Sequence, residues 1–210
     1  MVLDRLVIAT HNRRKAGEMV EILAARFPGL ELRTLADYEG APEPEETGST
    51  YPENATIKAE SGAAFTSAPC LADDAGLEID ALDGAPGLYS KRFGGEALPF
   101  PEKMTKILAM LDSIPEAERT ARFRCCVALA IPGRPTQTLV STCEGRIARS
   151  MSGAGGFGYD PIFLPDAAPG RTMADLTPSE KHAISHRGKV LSAFGDLWQG
   201  LAMAAVLDEA

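Results

Sequence analysis

The stretch around which this chain is organised reads Leu71-Ala72-Asp73-Asp74-Ala75-Gly76. The short apolar run over residues 70–72 indicates the end of a buried strand, and two carboxylates and a glycine turn follow it. Ligands of open α/β sheets bind beyond the carboxyl ends of the strands, so we expect a ligand site here. Because side chains alternate along a strand, only one of Asp73 and Asp74 needs to face that site. Taken alone, the same motif more often marks a solvated turn.

Apolar runs on both sides of this stretch predict alternating strands and helices. Leu6-Val7-Ile8-Ala9 is a continuous apolar run, typical of a strand that is covered on both faces. A helical stripe over residues 19–27 follows it and ends at Pro28-Gly29. Residues 122–131 and 138–148 resemble two strands of an antiparallel hairpin. We therefore predict an α/β fold with a mixed sheet that is flanked by helices.

Composition and charge narrow the class of protein. The 210 residues fit a single domain over 1–210, or two lobes that share one sheet. The net charge of −8 disfavours nucleic acid and anionic membranes as partners. Asp4 and Arg5 interrupt the N-terminus before any long apolar run, and the four cysteines lack Cys-x-x-Cys spacing and lie among apolar neighbours. We therefore expect a cytoplasmic protein with reduced thiols, no signal peptide and no membrane span.

Basic residues cluster at the beginnings of two predicted helices. Residues 13–15 lie in the first turn of the first helix, and His186 and Arg187 lie in the first turn of the last. Cations there oppose the helix dipole, whereas the free backbone N–H groups bind anions. Together with Lys181, these clusters in an acidic protein indicate a polyphosphate ligand. Each cluster by itself is equally explained as a solvated basic turn.

An acidic loop is predicted over residues 35–50, which are rich in proline and glycine and include Glu45 and Glu46. A capping-box pattern then predicts a helix that carries Asn54 and Lys58 on one face. These are ordinary solvated side chains unless the fold brings the loop next to the two aspartates.

The glycines at 153–158 satisfy the G-x-G-x-x-G pattern without its structural context. A dinucleotide fingerprint must open a helix, and Pro161 predicts an extended segment here instead. The glycines are better suited to bring backbone close to a ligand, with Phe157 available to stack on a planar ring. Core packing is the alternative for Phe157.

Six motifs resemble those of a known family, in kind and in order. They are Thr10-His11-Asn12-Arg13-Arg14-Lys15, Glu45-Glu46-Thr47-Gly48 with Glu53-Asn54-Ala55, Leu71-Ala72-Asp73-Asp74-Ala75-Gly76-Leu77, Pro86-Gly87-Leu88-Tyr89-Ser90, Gly155-Gly156-Phe157-Gly158-Tyr159-Asp160-Pro161-Ile162-Phe163 and Ser185-His186-Arg187-Gly188. Over about residues 5 to 200 the chain resembles the inosine triphosphate pyrophosphatase family, also called dITP/XTP pyrophosphatases. Each motif is weak alone, but six in order are highly specific.

The resemblance implies a fold and an activity. The fold is an elongated mixed sheet with two lobes and a central cleft, assembled as a homodimer. The activity is Mg²⁺-dependent hydrolysis of ITP, dITP or XTP to the monophosphate and pyrophosphate, which cleanses the nucleotide pool.

The resemblance also assigns site residues. Glu45 and Asp74 match the magnesium ligands, and Asp74 also matches the catalytic proton acceptor. The substrate-binding residues are Thr10, His11, Asn12, Arg13, Arg14, Lys15, Ala75, Phe157, Gly158, Tyr159, Asp160, Lys181, His186 and Arg187. One departure is Ala75, where the family typically has serine, so a side-chain hydroxyl contact to the substrate is lost.

The residue types suit this chemistry. Hydrolysis between the α and β phosphorus atoms requires charge neutralisation and a water in line, and two carboxylates form a partial Mg²⁺ ligand set. Lys15 and Lys181 are candidates to hold the departing pyrophosphate, with Lys58 and Arg92 as further ones. Arg187 is a donor only, so it favours a 6-oxo purine over adenine but does not explain how GTP is rejected.

Two alternatives stay open from the sequence. One is a general nucleoside triphosphate pyrophosphatase or phosphatase with loose base selectivity. The other is a nucleotide-sensing or RNA-binding module whose metal site is inactive. The acidic residues at Glu45 and Asp74 and the acidic net charge argue against the second alternative.

Overall fold

The structure, a computed structural model, describes residues 3–207 of the chain. Within them it contains strands β1 (Arg5–Ile8), β2 (Glu31–Thr34), β3 (Cys70–Ile79), β4 (Thr120–Ala130), β5 (Gln137–Ile147) and β6 (Phe163–Pro165). The helices are α1 (Arg13–Arg26), α2 (Tyr51–Thr66), α3 (Phe100–Met110), α4 (Pro178–Ile184) and α5 (His186–Leu207). Among these described residues, no helix is both long enough and apolar enough to span a bilayer.

The strands form one mixed sheet in the order β2-β1-β3-β4-β5-β6. β1 pairs in parallel with both β2 and β3, whereas β5 and β6 pair antiparallel. Leu6, Val7 and Ile8 of β1 are fully buried, as the continuous apolar run predicts for a strand with two neighbours. The predicted α/β class with a mixed sheet is confirmed.

The chain divides into two compact units. The first comprises the residues up to Asp74, Cys125–Val140 and the chain from Lys189 onward. The second comprises Ala75–Arg124 and Ser141–Gly188. The single domain with two lobes and a central cleft stays a prediction.

One expectation about the acidic stretch was wrong. The two aspartates and the glycine that follows were expected in a turn after a strand ending at Ala72, but β3 continues through them to Ile79. The turn signal fails because Asp73 and Asp74 are both buried beside lysines, so neither carboxylate has to reach solvent. Alternation along β3 then sends the two carboxylates to lysines on different helices, as expected for neighbours on a strand.

Side-chain caps decide where the helices near the site begin. Asn12 Oδ1 accepts from the backbone N–H groups of Arg14 at 3.1 Å and Lys15 at 3.2 Å, which starts α1. The capping box predicted at Thr50 and Glu53 starts α2. These caps set where the first-turn side chains of α1 and α2 point.

The second unit has an apolar core and a buried arginine. Its central members include Leu77, Ile107, Phe123, Ile147 and Phe163. Arg119 is 1 % exposed and donates to three backbone carbonyls, those of Leu111 at 2.5 Å, Ile147 at 2.9 Å and Ala148 at 2.7 Å. The guanidinium thus satisfies buried acceptors at the ends of α3 and β5.

Candidate active site

The first part of the candidate site lies in the first unit, where α1 approaches β3. Lys15 Nζ is 3.3 Å from Asp73 Oδ2, and Asp73 is only 1 % exposed. The Cys125 thiol lies 3.9 Å from the same oxygen. Because a buried carboxylate is costly unless it is paired, the Lys15 ammonium stabilises Asp73 and is itself held in place by it.

Asp74 is surrounded by groups from α2 and the acidic loop. Lys58 Nζ donates to Asp74 Oδ1 at 3.2 Å and to Glu46 Oε1 at 2.9 Å. Asn54 Nδ2 lies 3.4 Å from Asp74 Oδ2. Asn54 and Lys58 are one turn apart on α2, so the face that the sequence predicted is the face that contacts Asp74.

The electrostatics of this cluster favour a proton acceptor at Asp74. Burial raises the pKa of the Asp74 carboxyl, while Lys58 and Lys15 oppose that rise and the nearby Glu46 charge adds to it. For Lys58 burial lowers the pKa, but attraction by Asp74, Asp73 and Glu46 outweighs it and the pKa ends above its ordinary value. Lys58 therefore stays an ammonium beside a carboxyl that binds protons more readily than a solvated aspartate.

The phosphate-loop candidates form the start of α1. Arg13 and Arg14 are exposed, and no acidic residue lies in this first turn. His11 Nε2 is 2.9 Å from the carbonyl oxygen of Pro42, which ties this loop to the acidic loop. The arrangement leaves two exposed guanidinium groups at the positive end of a helix, while Asn12 Oδ1 already accepts from two of the backbone N–H groups that an anion would use.

Glu45 and Glu46 occupy different environments despite being adjacent. Glu46 is half-buried against Lys58, whereas Glu45 is exposed. Sequence reasoning assigned no role to Glu46 or to Asp73, although the spacing of Asn54 and Lys58 was a signal that α2 faces the acidic residues. Which glutamate of an irregular loop turns toward that helix is a tertiary property that the sequence does not encode locally.

The second part of the candidate site lies in the second unit, around the Phe157 ring. Lys181 Nζ is 4.6 Å and Arg187 Cζ is 5.6 Å from the centroid of that ring. Asp160 Oδ2 accepts from Lys181 Nζ at 2.9 Å and from the Phe157 backbone N–H at 2.8 Å. The buried carboxylate thus holds the loop and the lysine together, and two cations lie near one aromatic ring.

One glycine of this loop is required by the same carboxylate. Gly156 has a φ of +67°, and a Cβ atom there would overlap Asp160 Oδ2. Gly158 also has a positive φ, +68°. Residues 154–158 form bends and turns, so no α-helix opens at the glycines and the G-x-G-x-x-G match is not a dinucleotide fingerprint. The extended segment predicted at Pro161 was wrong in position, because Asp160–Ile162 form a short 3-10 helix and the strand β6 begins at Phe163.

Tyr159, close to Phe157 in the sequence, and His186, next to Arg187, also make aromatic contacts. The Tyr159 hydroxyl donates to the Ser90 carbonyl at 2.8 Å, and its ring meets Phe100 edge-on at 5.2 Å. Burial raises the pKa of Tyr159, so its hydroxyl stays protonated. The His186 imidazole stacks on Phe123 with ring centroids 4.7 Å apart.

The assigned residues thus fall into two groups. The first unit holds Thr10, His11, Asn12, Arg13, Arg14, Lys15, Glu45 and Asp74, and the second holds Ala75, Phe157, Gly158, Tyr159, Asp160, Lys181, His186 and Arg187. Ala75 is half-buried in β3. Contacts within each group bring Lys15 and Lys58 to the aspartates, and Lys181 and Arg187 to Phe157.

The side chains available as metal ligands suit a hard cation and not a thiophilic one. Over residues 3–207, no group of three or more His, Cys, Asp or Glu side chains is placed to hold a metal. The four cysteines are buried free thiols, and burial raises the pKa of Cys70 and Cys126 to about 11. Carboxylate oxygens from Asp74 and the acidic loop, completed by phosphate oxygens, fit the preferences of Mg²⁺.

Comparisons with known proteins identify the family of this chain. A sequence model described as the Ham1 family matches residues 6–197. A dITP/XTP pyrophosphatase of Geobacillus kaustophilus is 46% identical over 198 residues, 94% of this chain and 95% of that protein. The dITP/XTP pyrophosphatase of Bacillus subtilis is 44% identical, covering 94% and 98%. The solved HAM1 protein from Coxiella burnetii has a TM-score of 0.80 at 39% identity over 100% of both chains, and the Staphylococcus aureus Ham1 protein one of 0.81 at 34%, covering 93% and 98%.

Proposed function

We propose that this chain, which belongs to the Ham1 family, hydrolyses ITP, dITP and XTP to the nucleoside monophosphate and pyrophosphate. The observation that carries the proposal is the pair of buried aspartates in β3, each held by a lysine from a different helix. The names of the relatives, dITP/XTP pyrophosphatase, support this substrate class.

In the proposed mechanism, Asp74 orients and deprotonates the attacking water. Its raised pKa makes it a stronger base than a solvated aspartate, and Lys58 keeps it in the charged form. Lys15, with the exposed arginines of the first turn of α1, binds the triphosphate and stabilises the charge on the leaving pyrophosphate.

We propose Mg²⁺ as the cofactor, held by Asp74 and Glu45. Glu45 is exposed and available to a ligand, whereas its neighbour Glu46 is already engaged by Lys58. A bound Mg²⁺ supplies neutralisation of phosphate charge at the scissile bond. Asp74 with its lysine partners is then the protein's own contribution to water activation.

Base recognition is proposed to lie with the second group of residues. Phe157 offers a ring on which a purine stacks, and Arg187, which is 2 % exposed, offers donors that pair with a 6-oxo group. The 6-amino group of adenine would leave those donors unsatisfied, so ATP is a poor substrate. These donors do not explain how GTP is rejected, because GTP is distinguished at position 2 of the purine.

We further propose a homodimer that works in the cytoplasm. The family resemblance supports the dimer, and the four buried free cysteines support a reducing compartment. Light scattering coupled to size-exclusion chromatography measures the oligomeric state directly.

The decisive experiment assays ITP, dITP, XTP, GTP and ATP for product release with Mg²⁺. Pyrophosphate release that favours ITP, dITP and XTP over ATP is the expected result. Orthophosphate release, or equal cleavage of ATP, would favour a general nucleotidase. Binding of ITP without hydrolysis would favour a nucleotide-sensing module.

A further inference from the structure

Phe123 of β4 stacks face to face on the imidazole of His186. The ring centroids are 4.7 Å apart and the planes differ by 17°. Phe123 is 7 % exposed and His186 is 6 % exposed, so the stack is almost closed to water. None of the sequence motifs includes Phe123, which in the sequence is one of several apolar residues of a predicted strand.

An imidazole needs such a constraint to keep a fixed plane. The terminal torsion of histidine joins a tetrahedral carbon to a planar ring, and its energy profile is broad. The backbone at the start of α5 therefore does not by itself set the direction of the two ring nitrogens. A parallel aromatic face removes most of that freedom, because only rotations that keep the rings stacked retain the contact.

Ring direction matters because His186 is the neighbour of Arg187. Arg187 lies beside the Phe157 ring, and both residues belong to the first turn of α5. The family resemblance assigns His186 to the substrate-binding residues, and each imidazole nitrogen is a donor or an acceptor according to the tautomer, so the ring plane sets the direction of these polar atoms.

We infer that Phe123 is a positioning residue for purine binding, which acts by holding the His186 imidazole in the plane that meets the base. The inference rests on the proposed function, since it takes the ligand to be a purine nucleotide. It adds a residue that the family motifs do not include.

The chain offers a matched control in Phe163. This residue is fully buried in the same core and packs against Phe123 with centroids 4.7 Å apart, but tilted by 59°. Phe163→Leu also removes one phenyl ring, but the ring that is lost is that of Phe163, the other aromatic neighbour of Phe123. A purely structural role of Phe123 predicts similar effects of Phe123→Leu and Phe163→Leu.

The experiment compares the wild type, Phe123→Leu, Phe163→Leu, His186→Ala and the Phe123→Leu/His186→Ala double variant. Steady-state kinetics with ITP and Mg²⁺ give KM and kcat, calorimetric titration with inosine monophosphate gives Kd, and thermal melts give stability. Phe123→Leu is expected to raise KM and Kd by about 3- to 10-fold, the worth of one aromatic stack, with kcat within about twofold. Phe163→Leu should lower the melting temperature while KM and Kd change less than about twofold.

The double variant tests whether Phe123 acts through His186. In the His186→Ala background, Phe123→Leu should add no further rise in KM or Kd, because the group that it orients is absent. If Phe123→Leu does not fold, Phe123→Met, which keeps more of the side-chain volume, takes its place in all comparisons.

Three results would overturn the inference. These are an unchanged KM and Kd in Phe123→Leu, equal changes in Phe163→Leu, and additive effects in the double variant. In each of these cases an active wild type leaves the proposed function intact. A wild type that neither hydrolyses ITP nor binds inosine monophosphate contradicts the proposed function, and the inference fails with it.

Discussion

At Asp74, burial and the neighbouring lysines shift the pKa of one carboxyl in opposite directions. It is 8 % exposed, its pKa is raised by burial, and Lys58 and Lys15 limit that rise. Burial favours the neutral form of the carboxyl, and the two ammonium groups favour the charged form. Burial is the larger effect, so Asp74 binds a proton more readily than a solvated aspartate.

Replacement of Asp74, the proposed proton acceptor, should abolish most of the activity. Asp74→Asn keeps the size of the side chain but removes the charge and the basic oxygen, so we expect kcat for ITP to fall by about 10²-fold or more. Pyrophosphate release measures the effect, and a thermal melt checks that the variant is folded. Near-normal turnover would remove Asp74 from the mechanism.

The adjacent glutamates of the acidic loop allow a matched test of the metal assignment. Glu45→Gln should raise the half-saturating Mg²⁺ concentration by about 10-fold, because a ligand oxygen loses its charge. Glu46→Gln should change it less than about threefold, since Glu46 is engaged by Lys58. Calorimetric titration of Mg²⁺ in the absence of nucleotide provides a readout that does not depend on turnover. Reversed effects of the two variants would assign the metal to Glu46.

At the scale of elements, caps and ion pairs decide where helices begin. α4 starts with the Thr177–Glu180 capping box, and Arg171 binds the same Glu180 carboxylate through contacts of 2.8 and 3.0 Å. The Arg171 guanidinium, with the Thr177 backbone N–H and hydroxyl, lowers the pKa of Glu180 from 4.5 to about 2. This short helix carries Lys181, so its start also positions a residue of the candidate site.

The depressed pKa of Glu180 predicts a pH-dependent contribution to stability. The folded pKa lies below the unfolded one, so the contribution is complete above about pH 4.5 and is lost as the pH falls toward 2. Glu180→Gln should therefore lower the melting temperature by about 2 °C at pH 7, and the difference from wild type should shrink below pH 4.5. The exposed loop variant Glu39→Gln serves as the control. A Glu180→Gln deficit that is the same at pH 3 and pH 7 would contradict this assignment.

At the scale of the whole molecule, the net charge of −8 sets which anions are accepted. A short polyphosphate can contact a local cluster such as the first turn of α1 without crossing much of the acidic surface. A long polyanion has to cross both the basic cluster and the acidic surface around it. Its binding free energy comes from counterion release, which requires contacts with many basic side chains.

This charge distribution predicts that RNA does not bind. Fluorescence anisotropy of a labelled single-stranded 20-mer should show no binding at about 10 μM protein and 0.1 M salt, although that concentration lies within the range of non-specific dissociation constants, about 1 to 100 μM. The same assay with a basic RNA-binding protein is the positive control. Binding at that concentration would revive the alternative of an RNA-binding module.

Short-range sequence patterns predicted the strand β1 and the helix starts well. The buried β1, the Thr50–Glu53 cap and the start of α5 at His186 agree with the sequence analysis. The turn expected at Asp73 and Asp74 was wrong, because two lysines from distant parts of the chain allow the strand to continue. Local composition favoured a turn, and tertiary pairing overrode it.

The sequence by itself determined the α/β class, the helix starts, the family and the residue types of the candidate site, because hydrophobic periodicity, capping and motif order are local properties of the chain. Only the tertiary structure decided that Glu46 and not Glu45 contacts Lys58, that Asp73 pairs with Lys15, and that Phe123 stacks on His186. Those contacts join residues 12, 58 and 63 positions apart, and their geometry depends on how strands and helices pack, which no local pattern encodes.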